Sequence, residues 1–210
     1  NQYIDIAVQF AGWCVETERL AANPILRAWR ATELPNTHFR RAATVDELEK
    51  LFAAASPSRR LFYRFCVYHP LRRDTLNALK WGHLHLNDSP PWGETPPERT
   101  KSRRREKFPI RPEIAVELLA IRGDAEDDDR VFDVPTIAQL RDDLAKAAVP
   151  FSDPNGLRRF DLHAFRKTAI GLMKAAGVPL EQASKILHHK DLGTTRRHYD
   201  ADEVEAPLTD

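Results

Sequence analysis

The chain has 210 residues, of which 42% are hydrophobic and 30% charged, enough apolar material for one large domain or one and a half. No apolar run is long enough to span a bilayer and no signal peptide opens the chain, which argues against a membrane protein. The net charge of +1 hides a separation of sign: Arg99 to Lys107 (RTKSRRREK) is densely basic, Arg40-Arg41, Arg59-Arg60 and Arg72-Arg73 add basic pairs, and acid collects in Glu126 to Asp129 and after Tyr199. Such a pattern predicts a basic face for a polyanion.

Because the first residue is Asn1 rather than Met, the chain is expected to be a piece of a longer protein. Ile4 to Leu20 has helical spacing, with Ile6, Phe10, Trp13 and Leu20 on one face and Ile4, Val8 and Val15 on a second. One or two helices cannot bury such stripes alone, so residues 1–25 are expected to be the end of a helical domain. Residues 26–43 read as a linker, and 44–210 as the main domain. Cys14 and Cys66 sit in apolar helical contexts and read as buried free thiols of a reducing compartment.

Thr44-Val45-Asp46-Glu47 is a capping box, Thr at the N-cap and Glu at N3, opening a helix through Leu48, Leu51 and Phe52. Ser56-Pro57 starts the next, through Leu61, Phe62 and Phe65, and Pro70 ends it. A short helix with Leu71, Leu76 and Leu79 follows. His83 to Leu86 alternates as a strand does. Asp88 to Pro97, rich in Pro and Gly, is expected to be loop, and Thr100 to Ile110 a basic hairpin. Pro112 at N1 predicts a helix with Ile114, Leu118 and Leu119 on one face. Thr136 to Ala147 predicts another, and Phe151 to Arg159 reads as turn-rich approach. Tyr3, Tyr63 and Tyr68 lie in helical stripes and read as core. The expected class is mainly α with a small antiparallel β-sheet.

Asp161 to Asp200 (DLHAFRKTAIGLMKAAGVPLEQASKILHHKDLGTTRRHYD) reads as three short helices bearing polar residues that packing alone would not select. His163 and Arg166, three apart, share a face near the start of the first. His189 closes the second, and Tyr199 falls in the third. A phosphodiester resists nucleophiles because it is anionic. Two guanidiniums can each pair with its non-bridging oxygens, and Arg suits this better than Lys because it cannot lose its proton. Metal binding by His83-x-His85, or by His188-His189 with His198, has no supporting Cys and irregular spacing.

An Arg in LRRDTLNALKW, a Lys in TKSRRREKFPI, then HAFR, LHH and a late Tyr, in that order, resemble the tyrosine recombinases, or phage-type integrases. The resemblance covers Ala43 to Asp200, and the N-terminal helix looks like the end of that family's core-binding domain. It implies a site-specific DNA recombinase that needs neither metal nor ATP nor any other cofactor. Arg72 resembles the first arginine, with Arg73 as its rival. Lys101 resembles the hairpin lysine and general acid, with Arg103, Arg104, Arg105 and Lys107 as competitors. His163 and Arg166 match the family's HxxR, His163 as base, while His189 holds a phosphate oxygen and Tyr199 is the nucleophile. Arg99, Arg103, Arg104, Arg105, Lys107, Arg159 and Lys167 are expected on the DNA backbone.

The resemblance further implies double-stranded DNA as partner, a homo-tetramer in the synaptic complex, and a cytoplasmic, nucleoid-associated location in a bacterium or mobile element. The short acidic tail, with Val204 and Leu208 as its only large apolar groups, predicts that the free piece is a monomer, and the composition predicts no membrane. Pro70 stands where the family has Gly, Thr75 where it usually has Glu, and His188 where it has the Gly of LGH. These departures motivate the alternative of a non-catalytic DNA-binding relative with a degenerate site. A relaxing topoisomerase of related chemistry is a third reading.

Overall fold

The computed structural model describes residues 2–25, 39–97 and 105–187. Packing divides the chain into two units, residues 1–38 and 39–210. In the first, α1 (Gln2–Glu16) turns at its end, and the Asn23 amide donates back to the Val8 carbonyl at 3.0 Å. Ala11 and Cys14 are buried, but Tyr3 is 88% exposed, and Ile6, Phe10 and Trp13 are exposed with it. The expectation of a core Tyr3 is therefore corrected: a single helix has nothing of its own to lay over two apolar stripes.

The second unit begins with β1 (Phe39–Arg40), α2 (Val45–Ala54), α3 (Pro57–Tyr68) and α4 (Arg73–Asn77). The Thr44 capping box is formed: its hydroxyl accepts from the Glu47 N–H at 3.2 Å while the Glu47 carboxylate accepts from the Thr44 N–H at 3.0 Å. A 3-10 turn (Trp81–His83) leads to β2 (Leu84–His85), β3 (Trp92–Glu94) and β4 (Lys107–Pro109), a three-stranded antiparallel sheet in that order. Then come α5 (Pro112–Arg122), α6 (Ile137–Lys146), β5 (Arg158–Arg159), α7 (Ala164–Ala175) and α8 (Leu180–Ile186).

Three expectations fail here. Asp88 to Pro97 is not all loop, because β3 lies inside it. Pro90 and Pro91 precede the strand and so remove no ladder donor from it, and Gly93, opposite Phe108 of β4, leaves room for the Phe108 ring where a Cβ would collide with it. Leu119 is 38% exposed, and Ala115 completes the buried face of α5 with Ile114 and Leu118. Tyr68 is 37% exposed, its ring covered on one side by the Arg111 guanidinium at 4.6 Å.

The core lies where α3 packs against α2, α5 and α7. Phe62, Tyr63, Phe65, Phe160 and Phe165 are almost wholly buried. Tyr63 stacks on Phe165 with ring centroids 5.2 Å apart, and Phe160 meets Phe165 edge-on at 5.0 Å. Inside this apolar mass, Asp143 of α6 is fully buried and accepts from Arg59 (2.6 and 2.9 Å) and from the Tyr63 hydroxyl (2.9 Å). Burial pushes the Asp143 carboxyl up, but the Arg59 and Tyr63 hydrogen bonds outweigh it and hold the group below its ordinary value. Removing Arg59 leaves the buried Asp143 charge without its cation, a loss of about 3–5 kcal/mol for such pairs. Cys14 and Cys66 are both buried free thiols. Among the described residues no helix is long and apolar enough to cross a membrane.

Candidate functional site

The site is built on the start of α7. Asp161 precedes that helix and acts as its cap: its Oδ1 accepts from the His163 N–H at 2.9 Å and the Ala164 N–H at 3.0 Å. His163 is thereby set at the N-cap, with Arg166 in the first turn, on the side of α7 that faces the core. Arg166 is only 6% exposed. Its Nη1 donates to the Pro70 carbonyl and its Nη2 to the Leu187 carbonyl. One guanidinium therefore ties the end of α3, the start of α7 and the end of α8 together.

Both acceptors are neutral, and among the described residues no carboxylate pairs with Arg166. A buried cation left without a counterion is costly unless something anionic comes to it. Arg has five N–H donors in a fixed fork, so two bonds to carbonyls leave three for a ligand. Burial and then the charge of Arg72 lower the Arg166 pKa to about 10, which still leaves it charged at neutral pH. Arg72 is exposed and sits at the N-cap of α4, two residues beyond the Pro70 carbonyl that Arg166 holds. The two arginines, 94 positions apart in the sequence (166 minus 72), thus belong to one place.

His163 shares it. Partial burial, and then the charges of Arg40, Arg166 and Arg72, lower its pKa to about 4, against the opposing pull of Asp161. The residue is exposed, and the surrounding guanidiniums act in the same direction as its partial burial. At neutral pH the imidazole is uncharged and can accept a proton.

The structure brings together Arg72, His163 and Arg166. Lys101, Arg99, Arg103, Arg104, His189 and Tyr199, with His188 and His198, lie outside the described residues. Arg105 forms an ion pair with Glu94 across the sheet. Lys107 rests over the Trp92 ring at 4.0 Å, and that ring stacks on His85 at 3.8 Å. Arg159 is exposed on β5 and Lys167 half-buried on α7. Arg73, the rival of Arg72, is exposed on the first turn of α4. Thr75, in place of the family's carboxylate, is buried. His83 Nδ1 accepts from the Lys80 N–H at 3.0 Å, and among the described residues no group of three or more His, Cys, Asp or Glu could hold a metal ion.

Sequence reasoning missed four contributors: Arg40, Asp161 and the carbonyls of Pro70 and Leu187. Asp161 had a legible signal, a carboxylate three residues before the first helical residue, Ala164. The carbonyls had none, since a backbone acceptor carries no residue signature.

Sequence comparison with curated proteins gives no match. The solved structures that share this fold include XerA recombinase (17% identity, TM-score 0.61, covering 93% of this chain and 70% of that one). A lambda integrase dimer bound to a COC' core site matches at 14% identity and TM-score 0.68, covering 99% of this chain and 60% of that one. The catalytic domain of bacteriophage HP1 integrase matches at 18% identity and TM-score 0.58, covering 79% and 90%. The chain therefore spans 60% of the lambda integrase chain's length. The phage integrase family model matches residues 41–205, most of the sequence, and the chain belongs to the phage integrase family.

Proposed function

We propose that this chain is the catalytic part of a site-specific tyrosine recombinase that cuts and rejoins double-stranded DNA through a 3′-phosphotyrosyl intermediate. The observation that carries the reading is the buried Arg166, held by the Pro70 carbonyl near Arg72 and His163 and paired with no carboxylate among the described residues. Two guanidiniums with no carboxylate partner among the described residues, and a neutral imidazole, suit a phosphodiester and an incoming phenol better than any apolar or cationic substrate. The lambda integrase dimer that shares this fold is itself bound to a COC' core site, and the Tn1549 transposon integrase of the same fold is in complex with transposon right end DNA.

In this reading the Tyr199 oxygen attacks phosphorus, the phosphorus–O5′ bond breaks, and a free 5′-hydroxyl leaves. His163 takes the phenolic proton, and Lys101 gives one to the departing O5′. Presenting a phenolate at neutral pH costs about 4 kcal/mol for a pKa near 10, and the positive surroundings lower that cost. Arg72 and Arg166 hold the non-bridging oxygens, and His189 adds a further hydrogen bond to phosphate. The covalent link stores the bond energy, so attack by a 5′-hydroxyl reverses each step without ATP. Synapsis of four protomers belongs to the whole protein, with the piece alone a monomer.

The experiment is incubation of the full-length protein with nicked site DNA, followed by denaturing electrophoresis. A covalent protein–DNA adduct is expected, and Tyr199→Phe abolishes it. An adduct that persists in Tyr199→Phe refutes the assignment. Salt-sensitive duplex binding with no nicking at all by the intact protein supports the non-catalytic alternative instead.

A further inference from the structure

We propose that Arg40 and Asp161 form a positioning pair for His163, in which the carboxylate fixes the backbone that carries the imidazole and the guanidinium sets the charge around it. Strand β1 pairs in parallel with β5, Phe39 opposite Arg158 and Arg40 opposite Arg159. That register puts Arg40 beside the turn leading from β5 into α7. Its Nε donates to both Asp161 oxygens at 2.9 Å. Oδ1 of the same carboxylate receives the N–H groups of His163 and Ala164. One carboxylate thus joins a residue from the start of the unit to the helix start that presents the imidazole.

Stability alone does not account for the pair. Its side chains are 41% and 32% exposed, and ion pairs so placed contribute little to folding. What it changes is local. Among the described residues, the charged groups that act on His163 are Arg40 from β1, Arg72 from the turn before α4, Arg166 from α7 itself and Asp161 from the capping turn. Three of these four are cations, so the imidazole is held neutral and its lone pair stays available. The bearing of this on strand cleavage rests on His163 being the base, but the electrostatic relation does not.

The test is a histidine NMR titration of the chain without DNA, the His163 resonance being identified by its loss in His163→Gln. Arg40→Gln removes a cation and frees the Asp161 charge, so the His163 midpoint rises by about half a unit or more from its starting value. Arg40→Lys, which keeps the charge, stays closer to the parent. Asp161→Asn keeps a capping oxygen but removes the anion, so the midpoint falls. Opposite movements by the two halves of one ion pair are the signature of an electrostatic role. Loosening of the turn would send both variants upward, toward the ordinary value of about 6.5. Movement of both in one direction, or of neither, overturns the proposal, and Asp161→Asn decides it alone if Arg40→Gln does not fold. Because no DNA is present, failure here is distinct from failure of the Tyr199 adduct assay.

Discussion

At the scale of single residues, His69 has a use for measurement that its neighbours lack. It follows α3 directly, is 5% exposed, packs against Phe65 with ring centroids 4.5 Å apart, and its buried Nε2 has no hydrogen-bond partner among the described residues. Burial, and then the charge of Arg111, lower its pKa to about 3. An unfolded histidine titrates near 6.5. Between those values the unfolded chain binds a proton that the folded chain refuses, so stability is complete above about 6.5 and is lost as pH falls toward 3. From pH 7 to pH 5 that one group withdraws about 2 kcal/mol. Urea midpoints for the parent and His69→Leu at both pH values are the check. The variant should lose distinctly less between them, and an equal loss in both proteins would assign the acid sensitivity elsewhere.

Residue identity was also what the sequence showed best. His163 and Arg166 stand out because packing alone would not select two such side chains on one helix face, whereas Arg72 is named only through the family resemblance, with Arg73 beside it as a rival. Tyr63 was rightly read as core, yet Tyr3 and Tyr68 carried the same helical signal and are exposed. A stripe shows which face a residue occupies and not whether anything covers that face. Arg40 was visible only as half of a basic pair, because its partner Asp161 lies 121 positions away.

Among the elements, helices were legible and short strands were not. Capping boxes, N1 prolines and 3.6-residue spacing are local signals, and α2, α3, α5 and α6 start where those signals place them. β1 and β5 are two residues each and are held by pairing with distant backbone, so neither has a pattern of its own. β3 was hidden among prolines, and its central residue shows why it can pair. A Cβ on Gly93 would stand 2.6 Å from Cζ and 2.9 Å from Cε2 of Phe108. The Phe108 ring is 5% exposed, so it has little room to withdraw. Gly93→Ala should therefore push β3 off β4 and cost about 1–3 kcal/mol, the range for overpacked cores. Thermal unfolding reads the loss, and amide exchange at Thr95, whose N–H donates to the Glu106 carbonyl at 3.0 Å, should accelerate with it. A Gly93→Ala protein with the parent's melting temperature and exchange would show that the sheet gives way at no cost.

For the molecule as a whole, a near-neutral total conceals cations of two kinds. Arg59 is neutralised by Asp143, and Arg105 pairs with Glu94. Arg72 and Arg166 have no carboxylate among the described residues. Only uncompensated cations release counterions from a bound duplex, and each phosphate so neutralised contributes about 0.9 to the slope of log affinity against log salt. Arg72 is exposed, so its replacement leaves the core untouched. Arg72→Gln should flatten that slope by about 1 and weaken binding evenly across DNA sequences, as loss of a phosphate contact does. Arg59→Gln should leave the slope unchanged while lowering the melting temperature, because its charge is already spent inside the protein. Fluorescence anisotropy of a labelled duplex across a salt series measures both variants in one experiment. Equal slopes for Arg72→Gln and the parent would mean that the guanidinium beside Arg166 never meets phosphate, and a flattened slope for Arg59→Gln would mean that the division between spent and available charge is drawn in the wrong place.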